Sequence, residues 1–381
     1  MSIRTFCCTL QTRAMFPSLV VLLATLCPAA RADEQNPKSP YPPSPLIQRV
    51  TWHWDSLQTA APGSDLWPVT WGTDDNLYLA WGDGGGFGGS DQDGRVALGF
   101  ARIEAPPERF AGMNVNGGKN GQHRASFAEH GKAGGILAVG DRLYAWLNTQ
   151  NGKWPDVDQA LIWSDDHGAT WKQGQWVFPK GKGNLKPATF LNFGKGYTGV
   201  PTDLQGRVYF YGQKQGEPLG TYLGRAPSDK LTDRDAYEFF SARDPHAPAW
   251  SSDLSRAHPV FADARPTGDL ATVVYVPALR RYLLTSFHKG PGELGIFDAP
   301  EPWGPWTTVG YYDHWGEMGS EGEGLTCSFP AKWISPDGLT LWCIFSAYGE
   351  GAKRGINAHD KFNLVKATLE FNKDAPLRND R

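Results

Sequence analysis

One device recurs along this chain and constrains its fold more than anything else: a short β-rich run, a polar turn, then a second β-rich run, five times over. The pairs are DLWPVTW with NLYLAWGD around GTDD, GGILAV with RLYAWLN around Gly140-Asp141, and YTGVPT with RVYFYG around DLQG. LATVVYV with RYLLTSFH around PALR, and GLTCSFPAKWI with LTLWCIFSAYG around SPDG, complete the set. No apolar stripe is sustained at the 3.6-residue spacing of a helix. Successive first strands begin roughly 45 to 75 residues apart, enough for a four-stranded unit with its loops. VALGFARI, ALIWSDDHGATW, TYLGRAP and AYEFF can serve as third and fourth strands. A hairpin cannot bury both faces alone, and radial stacking around an axis buries them while leaving only short edges. The expected fold is therefore all-β, a five-bladed β-propeller of four-stranded antiparallel blades. A β-sandwich would need fewer residues and no fivefold repetition.

Composition agrees with a large core punctuated by turns: 16 Trp, 13 Tyr and 19 Phe stand beside 45 Gly and 29 Pro in 381 residues. With Lys+Arg 37 against Asp+Glu 40, the formal charge of -3 leaves no basic surface for nucleic acid. Residues 1–32 carry Arg4 and Arg13, an apolar run from Phe16 to Leu26, and Ala30-Arg31-Ala32 in the small-x-small arrangement of a signal-peptide cleavage site. The run is shorter than the roughly 20 residues that span a bilayer, so no membrane helix is expected. Without Arg4, Arg13 and Arg31 the basic count is 34 against 40, a charge of -6. The expected organisation is a signal peptide at 1–32, a mobile Pro-rich linker at 33–49, one propeller domain at 50–373 and a polar tail at 374–381. Localisation is expected to be periplasmic or extracellular, and the protein a monomer. FNLVKATLEF at 362–371 and VTWHW at 50–54 are the terminal β-rich runs, expected to lie in the same or adjacent blades and close the ring.

Ser164-Asp165-Asp166-His167-Gly168-Ala169-Thr170-Trp171 has the S-x-D-x-G-x-T-W form of the Asp-box, a turn between outer propeller strands. Its Asp is expected to cap the turn, its Gly to take positive φ and its Trp to pack between blades. The box speaks for fold, not activity.

In each hairpin the start of the first strand and the end of the second share one end of the axis. Folding about the turns sets Asp65 almost opposite Asp83, Lys132 near Asn148, Tyr197 near Gly212 and Gln213, Asp269 near His288, and Glu323 near Glu350. That rim is acidic, with Trp67, Trp81, Trp315 and Tyr348 close by in sequence. Polysaccharide sites combine aromatic faces that stack on sugars with two carboxyl groups across the scissile bond. The expected catalytic set is Asp65, Asp83 and either Glu321 or Glu323, from the HWGEMGSEGEG loop that also holds Glu317. Trp67, Asn148, Asp269, His288 and Tyr348 are expected to bind substrate. Asp74, Asp75, Asp141 and Asp337 read as turn caps. Ser90-Asp91-Gln92-Asp93-Gly94 lacks the distal Glu of a Ca²⁺ loop and reads as a turn. No metal site and no cofactor are expected, because HExxH, Cys-rich metal spacing and a phosphate loop are all missing from the sequence.

Beyond the leader the chain has two cysteines, Cys327 and Cys343, both in the fifth hairpin. A turn centred on Pro336-Asp337 would put their sulfurs on opposite faces, so that without a bulge they remain separate buried thiols.

DLWPVTWGTDDNLYLAWGD, GTYLGRAPSDKLTDRDAYEFF, HPVFADARPTGDLATVVYVPALRRYLLTSF and FDAPEPWGPWTTV resemble the domain-of-unknown-function 4185 family of exported bacterial propellers. The resemblance covers roughly residues 60 to 372. Some members of that family are endo-acting D-arabinan hydrolases, and its Asp-before-strand and Gly-Asp-after-strand elements fall here on Asp65 and Asp83. The Asp-box also suggests sialidases, but their Phe/Tyr-Arg-Ile-Pro string finds only Ala101-Arg102-Ile103-Glu104 here, away from the rim, which disfavours sialic acid chemistry. The expected function is that of a secreted glycoside hydrolase acting on a polysaccharide, arabinan-like by this resemblance. The competing expectation is a non-catalytic propeller that binds glycan or a cell-surface protein.

Overall fold

The computed structural model describes residues 38–149, 157–265, 267–288, 293–317, 323–348 and 357–372. The expected signal peptide and polar tail lie outside these residues. After β1 (Ile47–Ala60) come β2 (Val69–Trp71), β3 (Leu77–Gly82), β4 (Leu98–Ile103) and β5 (Gly112–Asn116), which form one four-stranded antiparallel sheet in that order. β6 (Lys132–Val139), β7 (Arg142–Asn148), β8 (Gln159–Ser164) and β9 (Lys172–Phe178) form a second. β10 (Leu185–Asn192), β11 (Arg207–Lys214), β12 (Glu217–Pro227), β13 (Glu238–Phe240) and β14 (Trp250–Ser251) pair in sequence, with β15 (Phe261–Ala262) also on β12. β16 (Thr267–Val276), β17 (Arg281–His288), β18 (Leu294–Ala299) and β19 (Thr307–Tyr312) form a fourth antiparallel run. A parallel contact of Leu191 with Val273 and Asn192 with Val274 joins these two runs into one ten-stranded sheet. The last sheet takes β20 (Glu323–Ser328), β21 (Thr340–Tyr348) and β22 (Phe362–Phe371), and β1 completes its edge.

Side chains of a strand alternate between its two faces, and β3 is buried throughout. Leu77, Leu79 and Trp81 pack with Trp342, Ile344, Phe362 and Leu364 of the last sheet. Tyr78 and Ala80 pack with Ile136, Ala138, Leu143 and Ala145 of the second. Two further clusters bridge the second, third and fourth runs, and the fourth and last. Each sheet is thus the core of both neighbours, and the last packs on the first. The first strands of all five runs meet around a narrow cavity lined by Val69, Ile136, Thr189, Val273 and Ser328 among others.

The two terminal runs do lie in one sheet. β1 pairs with β22 from Ile47 opposite Phe371 to Ala60 opposite Phe362. The Pro-rich segment, expected to be a mobile linker outside the fold, is instead docked from residue 39 onward. Thr308 of β19 donates its amide to Pro42 O at 2.8 Å, and its carbonyl accepts from Ser44 N at 2.7 Å. Tyr41 packs on Phe261 and Phe297, and its hydroxyl accepts from Ala262 N at 2.9 Å. Proline's missing N–H suits an edge contact in which only alternate residues donate.

Three registers differ from the expected ones. YTGVPT is not a strand: Lys195–Tyr197 is a 3₁₀ turn, and β11 pairs instead with LKPATFLN of β10, setting Lys186 opposite Gln213. Asp65 bridges Gly82 rather than Asp83, because Leu66 and Trp67 both take positive φ, of 73° and 66°. A register shift between Gly324 and Thr326 sets Cys327 opposite Phe345, not Ser346. Cys327 and Cys343 therefore share a face, fully buried, with their sulfurs 2.9 Å apart. In the turn after β8, Asp166 accepts from Thr170 N at 2.8 Å, Gly168 has φ 88°, and Trp171 stacks on Phe100 of the first sheet at 4.0 Å.

A chain ending at Asp360 lacks β22, which leaves β1 and β21 as open edges beside unpaired apolar faces. Size-exclusion and thermal scans should show aggregation in place of the cooperative unfolding of the whole chain. A soluble, cooperatively melting product would show that the ring closes otherwise.

Candidate functional site

The acids at the rim of the first sheet are positioned by strained backbone. Asp83 has φ 55° and Gly84 φ 63° where β3 ends, and Asp360 has φ 39° just before β22. Left-handed non-glycine residues are uncommon, Asp being among the more tolerant, and they cluster at functional sites. Asp65 exchanges backbone hydrogen bonds with Gly82, 2.8 and 3.0 Å, and its Oδ1 lies so close that a Cβ on Gly82 would sit 2.4 Å from it. The Asp83 carboxylate meets Lys132 Nζ at 2.5 Å and Arg95 at 3.2 Å, while Arg95 also pairs with Asp91. Lys132 comes from β6, so this charge network also ties the first sheet to the second.

Asp360, not singled out in the sequence, joins the same group. Gly63 donates to Asp360 O at 2.7 Å, and Asp360 N donates to Ala347 O at 2.8 Å. Gly63 has φ 83°, and a Cβ there would sit 2.3 Å from Asp91 N; its carbonyl lies against Gly84. Three acid-bearing segments thus converge on one glycine. Burial pushes the Asp360 carboxyl above its ordinary value, and the negative charges of Asp83 and Asp91 add to the rise against the opposing pull of His359 and Arg95. His359 Nε2 is 3.4 Å from its carboxylate.

The glycine run after Asp83 wraps a buried side chain: Asn114 Nδ2 donates to Gly85 O and Phe87 O, and its Oδ1 accepts from Phe87 N at 2.9 Å. Trp67, expected to stack on substrate, is wholly buried instead, stacked on Trp81 at 5.6 Å and edge-on to Phe362 at 5.4 Å. Trp315 is equally buried among Trp52, Trp54 and Phe345. Asn148 lies opposite Lys132, as expected, but is buried beside Gln159. His288, opposite Thr267 of β16, has no exposed surface either: its Nε2 lies 3.0 Å from Asp263, whose carboxylate also accepts from Tyr311. Burial alone would raise the Asp263 pKa, but hydrogen bonds from His288, the Arg265 amide and Tyr311 outweigh it and hold the carboxyl below its ordinary value. Trp67, Trp315, Asn148 and His288 are thus all four buried. Glu323 lies opposite Tyr348 in the backbone register. Glu321 and Glu350 lie outside the described residues, as do the side chains of Asp269, Glu317, Glu323 and Tyr348.

Among the described residues no group of three or more His, Cys, Asp or Glu is placed to hold a metal ion, and no helix is long and apolar enough to cross a membrane. What the rim can do is hold one carboxylate against two cations beside one carboxyl whose pKa is raised, an arrangement suited to acid–base chemistry.

The chain is all-β. Residues 135–319 match the family described as Domain of unknown function (DUF4185), the family the sequence resembles. Asp65, Asp83 and Asp360 lie outside the matched segment. None of the curated proteins matches the sequence. Similar solved structures include an alpha-L-arabinofuranosidase from Podospora anserina, 10% identical, covering 86% of this chain and 99% of that one with a TM-score of 0.47. A GH43_1 enzyme from Xanthomonas citri is 12% identical, with 85% and 94% covered and a TM-score of 0.46. A family 117 glycoside hydrolase from Zobellia galactanivorans is 9% identical, with 88% and 93% covered and a TM-score of 0.41. Likeness at this level carries no substrate or activity to this chain.

The raised Asp360 carboxyl fixes the sign of a stability effect. Unfolded, it titrates near the ordinary value of 3.8; folded, it titrates higher. As pH rises through that window the unfolded chain releases its proton first, so stability falls and stays lower above it. Asp360→Asn should raise the melting temperature at pH 7 and change it less at pH 3. Equal shifts at both pH values would show that no such carboxyl strain exists.

Proposed function

We propose that the chain is an exported glycoside hydrolase, a five-bladed β-propeller whose blades are the five antiparallel runs, acting on a polysaccharide by paired carboxyl chemistry. The observation that carries this reading is the contrast between two neighbouring acids: Asp83 with its charge met by Lys132 and Arg95, and Asp360 with its carboxyl pushed up. Glycoside cleavage needs that asymmetry. Asp360 donates its proton to the glycosidic oxygen as the bond to the anomeric carbon breaks. Asp83 either attacks that carbon or takes a proton from the water that does. Asp65, held over Gly82, shapes the floor between them and completes the catalytic set. Glu321 or Glu323 is the alternative proton donor, from the loop before β20. A polymer substrate cannot cross a membrane, which accords with reading residues 1–32 as a signal peptide and the working site as periplasmic or extracellular. The family resemblance makes arabinan-like polymers the first substrates to try.

The second reading is a glycan-binding propeller, favoured by one observation: the Asp83–Lys132 ion pair already serves to join two sheets. A panel of polysaccharides with product sizing separates the two. On a substrate that the wild type cleaves, Asp83→Asn and Asp360→Asn should each lower turnover by about 10² to 10⁴, the range typical of a lost acid or base. Full turnover in Asp360→Asn with loss in Glu321→Gln or Glu323→Gln would move the acid to the loop. Binding without cleavage across the panel would favour the binding module.

A further inference from the structure

The two cysteines of the last sheet stand apart from everything at the rim. Cys327 on β20 and Cys343 on β21 are sixteen residues apart in sequence, and the register shift at Leu325 turns both onto one face. Cys327 lies opposite Phe345, so Cys343 is its diagonal neighbour two residues along the strand. Both are buried in the cluster between the fourth run and the last sheet. Their sulfurs are 2.9 Å apart, which leaves less than about 1 Å of movement to a bond of ~2.05 Å.

We propose that Cys327 and Cys343 are joined by a disulfide that staples β20 to β21. The bond forms by exchange with a small-molecule or protein disulfide. One thiolate attacks the oxidant to give a mixed disulfide, and the second displaces the oxidant's thiol, so two thiols lose two protons and two electrons and the oxidant gains them. The thiolate is the reactive form, and burial pushes the Cys343 thiol well above its ordinary value once the sheet has closed. The exchange therefore belongs to folding, before the sheet is covered.

The staple sits on a strand from which two neighbours hang. The carbonyl of Cys327 accepts from Thr272 Oγ1 of β16 at 2.6 Å and from Thr285 of β17, and Thr326 Oγ1 donates to Leu66 O beside the first sheet. Fixing β20 against β21 fixes the purchase of both. Cross-linking also removes freedom from the unfolded chain, so it stabilises the one sheet that contains both ends of the fold.

The test is a peptide map of the whole chain, refolded from the reduced, denatured state with oxidised glutathione, blocked with iodoacetamide under denaturing conditions and digested with trypsin. Lys332 separates the two cysteines, placing them on peptides 290–332 and 333–353. The expected product is one linked pair, lighter than the sum of its peptides by two hydrogens and lost on reduction. Its denaturation midpoint should fall on adding reductant, while Cys327→Ala with Cys343→Ala should not respond. Recovery of both peptides separately alkylated, or linkage of either to Cys7, Cys8 or Cys27, would overturn the proposal.

Discussion

The pairing of β1 with β22 is the constraint on which the rest depends. It brings together strands more than three hundred residues apart, and no local preference can supply it, because each is an edge until the other arrives. Once it forms, the last sheet is four strands wide and can present an apolar face to β3. Leu77, Leu79 and Trp81 then have Trp342, Ile344 and Phe362 to pack against. Burying large apolar side chains of this kind is worth roughly 1.5 to 3 kcal/mol each. The closure is thus secured by many side chains at once rather than by the ladder hydrogen bonds alone. The docked segment around Tyr41 extends the same grip to β19, so the N-terminal stretch holds two sheets, not one.

Closure also assembles the rim. Asp83 ends β3 in the first sheet, Lys132 begins β6 in the second, and Asp360 precedes β22 in the last. Three sheets each contribute one charged group, and the groups meet only when the sheets are packed in order. This explains why the electrostatics there are unusual: Asp360 is held among like charges by a backbone bond to Gly63, with the packing of the sheets opposing the repulsion. A site made this way trades stability for a carboxyl held above its ordinary pKa.

The strands themselves were legible because alternation and turn residues are local signals. β22 coincides with FNLVKATLEF, β3, β7 and β17 fall within the expected second strands, and β11 runs two residues past its own. What local signals miss is irregularity. The consecutive left-handed residues Leu66 and Trp67 move the register of Asp65 by one position, and a shift at Leu325 brings together two sulfurs that regular pleating would part. In the third hairpin the Tyr-Thr-Gly-Val-Pro-Thr string looked like a strand, while the true partner of β11 is Leu185–Asn192, farther back along the chain. Trp67 was misread because an aromatic next to an acid has the same sequence signature in a sugar platform and in a core. Asp360 gave no signal at all, since its partners Asp83 and Asp91 lie far off in sequence and only the closed ring introduces them.

Gly63 has no functional group, yet its position makes it a structural member of the rim. Its amide carries Asp360, its carbonyl lies on Gly84, and its missing Cβ is the space that Asp91 occupies. A side chain there would have to adopt a left-handed φ and push against backbone on the opposite wall. The resulting phenotype would imitate the removal of an acid while Asp83, Asp91 and Asp360 all remained in the chain. A survey of tolerated substitutions would therefore rank this silent position with the carboxylates, and chemistry alone would never nominate it.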